Sequence, residues 1–217
     1  MAVHSYNRAG RPGEERNGVQ DGMAVRALIA EDERLIALAM GSRLESQGYE
    51  VVGIASTGTE VLDILSSVLP HIVLMDVRMP DMDGIEATRV LMQRSPVCVV
   101  VVSGSREPSQ IRRAEEAGAM DYVIKPFEAH QMRPVLERAR CRFQRFMAIR
   151  NKTGDTQEAL GTWLAVRRAV KALMETEGLC EQGAHDRVEE LAAGRGISLR
   201  AAAEDLTAPP GHPDRPA

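Results

Sequence analysis

Four sets of side chains could do chemistry together. Asp76 closes the short apolar run 72–75 and is followed by a turn-rich stretch with Pro80, Asp81, Asp83 and Gly84. Glu31 and Asp32 follow the apolar run 25–30, Ser103 closes the valine-rich run 97–102, and Lys125 closes 121–124 just before Pro126. A run of four to six apolar residues is long enough for a buried strand and too short for a helix. Carboxyl ends of such strands are where open parallel α/β sheets bind ligands. Carboxylates gathered at one edge repel each other, and an oxygen-rich cluster of Glu31, Asp32 and Asp76 suits Mg²⁺, with the backbone carbonyl of Arg78 as a further ligand. The Ser103 hydroxyl and the Lys125 ammonium can both reach a phosphoryl group. A carboxylate nucleophile, a cation, a hydroxyl and an ammonium together match the charge of a transferred phosphoryl.

Taken singly, each residue has a plainer role. Glu31, Asp32 and Glu33 could be acidic capping of the next helix. Ser103 alone is a turn hydroxyl, and Lys125 alone a solvated charge. What favours the chemical reading is their joint placement at four strand ends. The Lys125–Pro126 bond is open to the cis form, which only X-Pro bonds permit cheaply and which would help aim the lysine inward.

The elements that must position these residues alternate in type. Strands are expected at 25–30, 50–55, 72–75, 97–102 and 121–124. Helices fall between them: one with Ile36, Met40 and Leu44, one at 59–69 with Val61, Leu62, Leu65 and Leu69 on one face, one at 84–94, and one at 107–117 closed by Gly118. Such alternation implies a five-stranded, doubly wound parallel sheet with helices on both faces. From Glu128 a long helix repeats Met132, Leu136, Ala139, Phe143 and Phe146 at coiled-coil-like spacing. Its other faces carry Arg133, Arg138, Arg140, Arg142, Arg145 and Arg150, read as solvated charge. An interruption is expected at 151–156. Helical segments follow at 157–176, 181–193 and 198–206, and Trp163, Val166, Val170 and Leu173 make a second seam.

The expected organisation is a disordered tail (1–22), an α/β domain (23–128), a helical linker (129–156), a small all-α three-helix module (157–207) and a Pro-rich disordered tail (208–217). Met23 stands beside Met1 as a candidate start. A length of 217 residues fits one ordinary domain and a small second one, and 3% aromatics require an aliphatic core. The net charge of −4 gives no general basic footprint for nucleic acid. Cys98, Cys141 and Cys180 match no metal or redox spacing, so reduced thiols are expected. No apolar run approaches membrane-spanning length and no secretory leader is legible, so the expected location is the cytoplasm, with no membrane partner.

At this point the chain resembles a known family. The segments Leu-Ile-Ala-Glu-Asp-Glu (28–33), Val-Leu-Met-Asp-Val-Arg-Met-Pro-Asp-Met-Asp-Gly (73–84), Val-Val-Ser-Gly (101–104), Gly-Ala-Met-Asp-Tyr (118–122) and Lys-Pro-Phe (125–127) are similar to the receiver domain of two-component response regulators. The resemblance implies a flavodoxin-like receiver fold with Asp76 as phospho-acceptor and Glu31 and Asp32 as the acidic pair. It makes Ser103 and Tyr122 the switch hydroxyl and switch aromatic, and Lys125 the conserved lysine. It further implies a histidine kinase or phosphotransfer protein as phosphodonor, and a regulator rather than an enzyme.

Residues 157–207 resemble the ANTAR domain, a three-helix RNA-binding module of antiterminator regulators. The residues that carry the likeness include Leu160, Arg168-Ala169, Leu173-Met174, Gly178-Leu179, Ala184, Leu191-Ala192 and Ala202-Ala203. The family's Ala-Lys-Gly is here Ala169-Val170-Lys171, and His185 stands where an aromatic commonly follows the second helix's alanine. The resemblance implies binding to hairpin RNA in nascent transcripts, with Arg167, Arg168, Lys171 and His185 as candidate contacts, and a homodimer on phosphorylation. The module has six Lys/Arg and nine Asp/Glu, a net −3. RNA affinity draws on phosphate neutralisation. Two outputs therefore stay open: RNA antitermination, or a degenerate module acting through dimerisation or another protein.

Overall fold

The structure is a computed structural model that describes residues 24–208. The two expected disordered tails, 1–22 and 208–217, lie outside the described residues except for Ala208. Five parallel strands, β1 (Val25–Ala30), β2 (Tyr49–Ala55), β3 (Ile72–Asp76), β4 (Cys98–Ser103) and β5 (Asp121–Ile124), pair in the order β2-β1-β3-β4-β5. Between them run α1 (Arg34–Glu45), α2 (Gly58–Ser67), α3 (Gly84–Arg94) and α4 (Pro108–Glu116). After the sheet come α5 (Ala129–Thr153), α6 (Thr156–Glu177), α7 (Glu181–Arg195) and α8 (Leu199–Thr207). The expected doubly wound sheet is present, with chain reversal at the β1/β3 boundary.

The central strands are apolar on both faces because both faces are covered. Ala27, Ile29, Ile72, Leu74, Cys98, Val100 and Val102 pack with Met40 and Leu44 of α1 and Met132 and Leu136 of α5. The alternate residues Leu28, Val73, Met75, Val99 and Val101 pack with Val61, Ile85, Leu91 and Ala114 of α2–α4. Local chemistry sets the helix starts. Thr57 and Asp83 cap α2 and α3 by accepting from the amides of Glu60 and Glu86, and Glu128 and Gln131 form a reciprocal capping box on α5. Leu69 lies past the end of α2 and is exposed, not on its buried face.

The long helix corrects the linker expectation. Met132, Leu136, Ala139 and Phe146 are buried in the chain's own core, continuous with the sheet and with Ala159 and Trp163 of α6. In this fold the seam is therefore filled intramolecularly and is not open to pair as a coiled coil. Spacings of three and four arise in any helix with one buried stripe, whatever covers it. The expected interruption is a tight corner. Gly154 adopts φ 72°, a left-handed conformation that costs glycine little, and Asp155 then caps α6. The three C-terminal helices have a second core of Ala165, Val166, Ala169, Val170, Leu173, Ala184, Val188, Ala202 and Ala203. Its small residues let the helices approach closely.

Candidate functional site

The carboxyl ends of four adjacent strands bring the chemical residues together. Asp76 is the last residue of β3, Ser103 the last of β4, Glu31 follows β1, and Lys125 follows β5. Two devices hold Asp76. Its Oδ2 accepts from the Arg78 amide at 2.8 Å. Behind it, α3 starts directly against the strand end: a Cβ at Gly84 would lie 1.9 Å from the Asp76 carbonyl oxygen, so only glycine fits.

Lys125 Nζ lies 2.6 Å from Asp76 Oδ1 and 2.5 Å from Glu31 Oε2. Its backbone amide donates to the Ser103 carbonyl at 2.7 Å, and the Lys125–Pro126 peptide is cis. Asp76 is 6% exposed and Glu31 2%, while Asp32 is open to solvent. Ligand oxygens of Glu31, Asp32 and Asp76 all lie within 4.8 Å of one another.

The electrostatics are unbalanced. Three carboxylates face one ammonium. Burial raises the pKa of Glu31, and the neighbouring Asp76 charge adds to this; hydrogen bonding and attraction from Lys125 only partly oppose it. For Lys125 burial is the largest single influence and disfavours the ammonium, yet its bonds to Asp76 and Glu31 together outweigh it and raise its pKa. Lys125 therefore stays charged at neutral pH, and the cluster retains an excess of negative charge that suits a divalent cation.

Ser103 is buried, and its Oγ accepts from the Ser105 amide at 3.1 Å. Tyr122, midway along β5, is half-buried against the α2–α4 face, and its hydroxyl donates to the Ser105 carbonyl at 3.0 Å. The structure thus adds Ser105, which the sequence reading missed. A lone serine in a loop gives no signal; only its position between Ser103 and Tyr122 does.

The four candidate RNA contacts line one cavity, beside Glu115, Arg142 and Glu181, but differ in exposure. Arg168 and Lys171 are exposed. Arg167 instead donates to the Ala119 carbonyl at 2.7 Å and faces Glu115 at 3.4 Å, with its guanidinium over the Trp163 ring. His185 is buried and stacks on Trp163 at 6.3 Å between ring centroids. Burial, its largest influence, lowers its pKa to about 4. Both residues point inward, since the module's amphipathic helices turn this side toward the sheet domain. The basic face of α5 is also partly spent: Arg142 grips Glu181 with two bonds of 2.7 and 2.9 Å, and Arg138 reaches Asp121 at 2.7 Å.

A 2-1-3-4-5 parallel sheet with an aspartate at the central strand end, a lysine beside it and a serine on the next strand defines a receiver-type α/β domain. Residues 27–137 match the response regulator receiver domain, and the chain belongs to that family. The match runs past residue 128 into α5, in keeping with that helix being part of the receiver's core. The chain is 34% identical over 179 residues to the transcriptional regulatory protein PdtaR of Mycobacterium tuberculosis, spanning 82% of this chain and 87% of that one. It is 34% identical over 107 residues to the chemotaxis protein CheY of Thermotoga maritima, spanning 49% of this chain and 89% of that one. The response regulator domain of Thermotoga maritima CheB superposes with a TM-score of 0.50 at 28% identity, over 56% of this chain and 98% of that one. Among the described residues no helix is long and apolar enough to cross a membrane.

Proposed function

We propose that this receiver takes a phosphoryl group on Asp76 from a histidine kinase or phosphotransfer protein and controls an RNA-binding transcription antiterminator. The observation that carries the first half is the buried Asp76 carboxylate held against Lys125 at the β1/β3 crevice. An Asp76 oxygen attacks phosphorus, the new O–P bond forms as the donor's N–P bond breaks, and the electron pair leaves on the donor imidazole. Lys125 places positive charge beside the oxygens that become negative, and the Ser103 hydroxyl can donate to one of them.

Glu31, Asp32 and Asp76 fit Mg²⁺ as hard oxygen donors, and the Arg78 carbonyl would add a fourth. The cation would neutralise charge on the carboxylates and on the incoming phosphoryl group. Exposed Asp32 is the member best placed to ligate it directly, because Glu31 is already spent on Lys125.

Support for the output half is the 179-residue similarity to a transcriptional regulatory protein. That length exceeds the receiver and so takes in much of the helical region. Arg168 and Lys171 are the exposed candidates for RNA phosphates. The net −3 of the module and the inward Arg167 and His185 favour the second reading, a degenerate module acting on a protein or through dimerisation. A phosphorylated homodimer would need a face other than the filled α5 seam.

Full-length protein titrated with a pool of paired short RNA hairpins tests the choice. Mg²⁺ with or without the phosphoryl mimic beryllofluoride sets the state, and Asp76→Ala is the control. Tight binding that needs both the mimic and Asp76 supports antitermination. No RNA binding in either state, with the mimic still changing the oligomeric state, supports a protein target.

A further inference from the structure

The helices that follow the sheet enclose a cavity of about 660 Å³, bounded by the end of α5, by α6 and α7, and by the α7–α8 corner. Sites for small organic molecules span roughly 300–1,000 Å³. The walls are mainly apolar, with Ile149, Val166, Ala192, Ile197 and Leu199 contributing. Trp163, the chain's one tryptophan, lines the cavity from α6 beside Thr162, and His185 lines it from α7.

One polar atom of this wall is left over. Phe146, His185 and Arg167 fix the Trp163 indole by ring contacts. None of them accepts from its Nε1, which is buried and has no hydrogen-bond partner. An indole nitrogen can only donate. A buried donor left unbonded is costly, so an acceptor that reaches it is favoured by that difference. His185 is 5% exposed, and burial keeps it neutral at pH 7, so it adds polarity to the wall without charge.

The mouth has a different character. Arg145, Lys152 and Arg200 stand there against Glu158 and Glu189, three cations to two acids, in a chain whose net charge is −4. Arg200 is held by Glu204 at 2.8 Å, and Arg145 donates to Gln182. Lys152, exposed in the last turn of α5, makes no ion pair among the described residues. It is the cation left for a ligand.

We propose that this cavity binds a planar aromatic acid of two or three rings. The rings lie on the apolar walls, a phenol or carbonyl oxygen accepts from Trp163 Nε1, and a carboxylate meets Lys152 at the mouth. The site lies among the C-terminal helices and does not rest on Asp76 or on phosphoryl chemistry.

The single tryptophan makes the test direct, because ¹⁵N-labelled full-length protein gives one indole N–H cross-peak. The probe is 6-hydroxy-2-naphthoate, compared with 2-naphthol, which lacks the carboxylate, and 2-naphthoate, which lacks the phenol. Hydroxynaphthoate should shift the indole cross-peak saturably. Each truncated probe should bind about fivefold more weakly, the weight of one hydrogen bond or one partly exposed ion pair. Lys152→Met should cost hydroxynaphthoate a similar factor and leave 2-naphthol unchanged. Ala193 is exposed and lines the cavity, so Ala193→Phe should fold and lose the shift. A cross-peak unmoved by millimolar hydroxynaphthoate overturns the site. Equal affinities for the three probes, wild-type affinity in Lys152→Met, or a folded Ala193→Phe that still binds overturn it as well.

Discussion

Two charge clusters sit at opposite edges of one sheet, and their balance differs. At the carboxyl edge Glu31, Asp32 and Asp76 face the single ammonium of Lys125. At the amino edge Arg138, Arg142 and Arg167 face Glu115, Asp121 and Glu181. An unbalanced cluster stores repulsion that a cation or a new ligand relieves, so it is built to change occupancy. A balanced cluster relieves nothing by binding and holds elements together instead. The same residue types thus serve chemistry at one edge and attachment at the other.

The largest expected effect would break this comparison at its unbalanced end. Asp76→Asn should abolish phosphoryl incorporation from a small phosphodonor while leaving the circular dichroism spectrum intact. Hydroxylamine-sensitive phosphate retained in that variant would remove Asp76 as the acceptor.

Next in size is a pH effect next to the balanced end. His185 is buried neutral with a pKa near 4, whereas an unfolded histidine titrates near 6.5. The unfolded chain therefore binds more protons in this window, and stability falls as pH drops from about 6.5 to about 4. The loss attributable to His185 is about 3 kcal/mol at most. Denaturant unfolding of the wild type and of His185→Gln at several pH values would measure it. An equal pH slope in both proteins would show that His185 does not carry the loss.

The metal should then separate the clusters. Asp32→Asn is expected to weaken Mg²⁺ binding by about tenfold or more, roughly 1.4 kcal/mol, and Asp121→Asn to leave it unchanged. Isothermal titration of both variants reads this directly. Equal losses would mean that net charge rather than local coordination governs the site.

The smallest effect sharpens the idea of balance. Arg138→Ala removes a half-exposed partner of Asp121, which keeps Arg142. The expected cost is about 0.5 kcal/mol or less, measurable as a shift of the denaturation midpoint. A loss of several kcal/mol would show that Arg142 does not back it up.

Much of the receiver was legible because its physics is local. Fully buried parallel strands must be short apolar runs, and Ile72–Met75 and the valines of β4 say so without help. Asp76, Ser103 and Lys125 could be placed at one edge because strand ends in a parallel sheet share that edge. The helical corner at Gly154 and Asp155 was legible for the same reason, since a left-handed glycine followed by a capping aspartate is written in adjacent residues.

What the helices pack against was not legible. The stripe Met132, Leu136, Ala139 and Phe146 has the spacing of a coiled coil, yet the receiver's own sheet and Trp163 fill it. Arg167 and His185 have the types expected of nucleic-acid contacts, and tertiary packing turns both inward. Periodicity is a property of one helix, whereas the identity of its partner is a property of the whole chain. By itself the sequence determined the strands, the acidic edge and the residues that meet there. Only the tertiary structure decided that the C-terminal helices rest on the receiver through half-buried arginines, because residues 22 to 52 positions apart in sequence meet there without any repeating pattern to announce them.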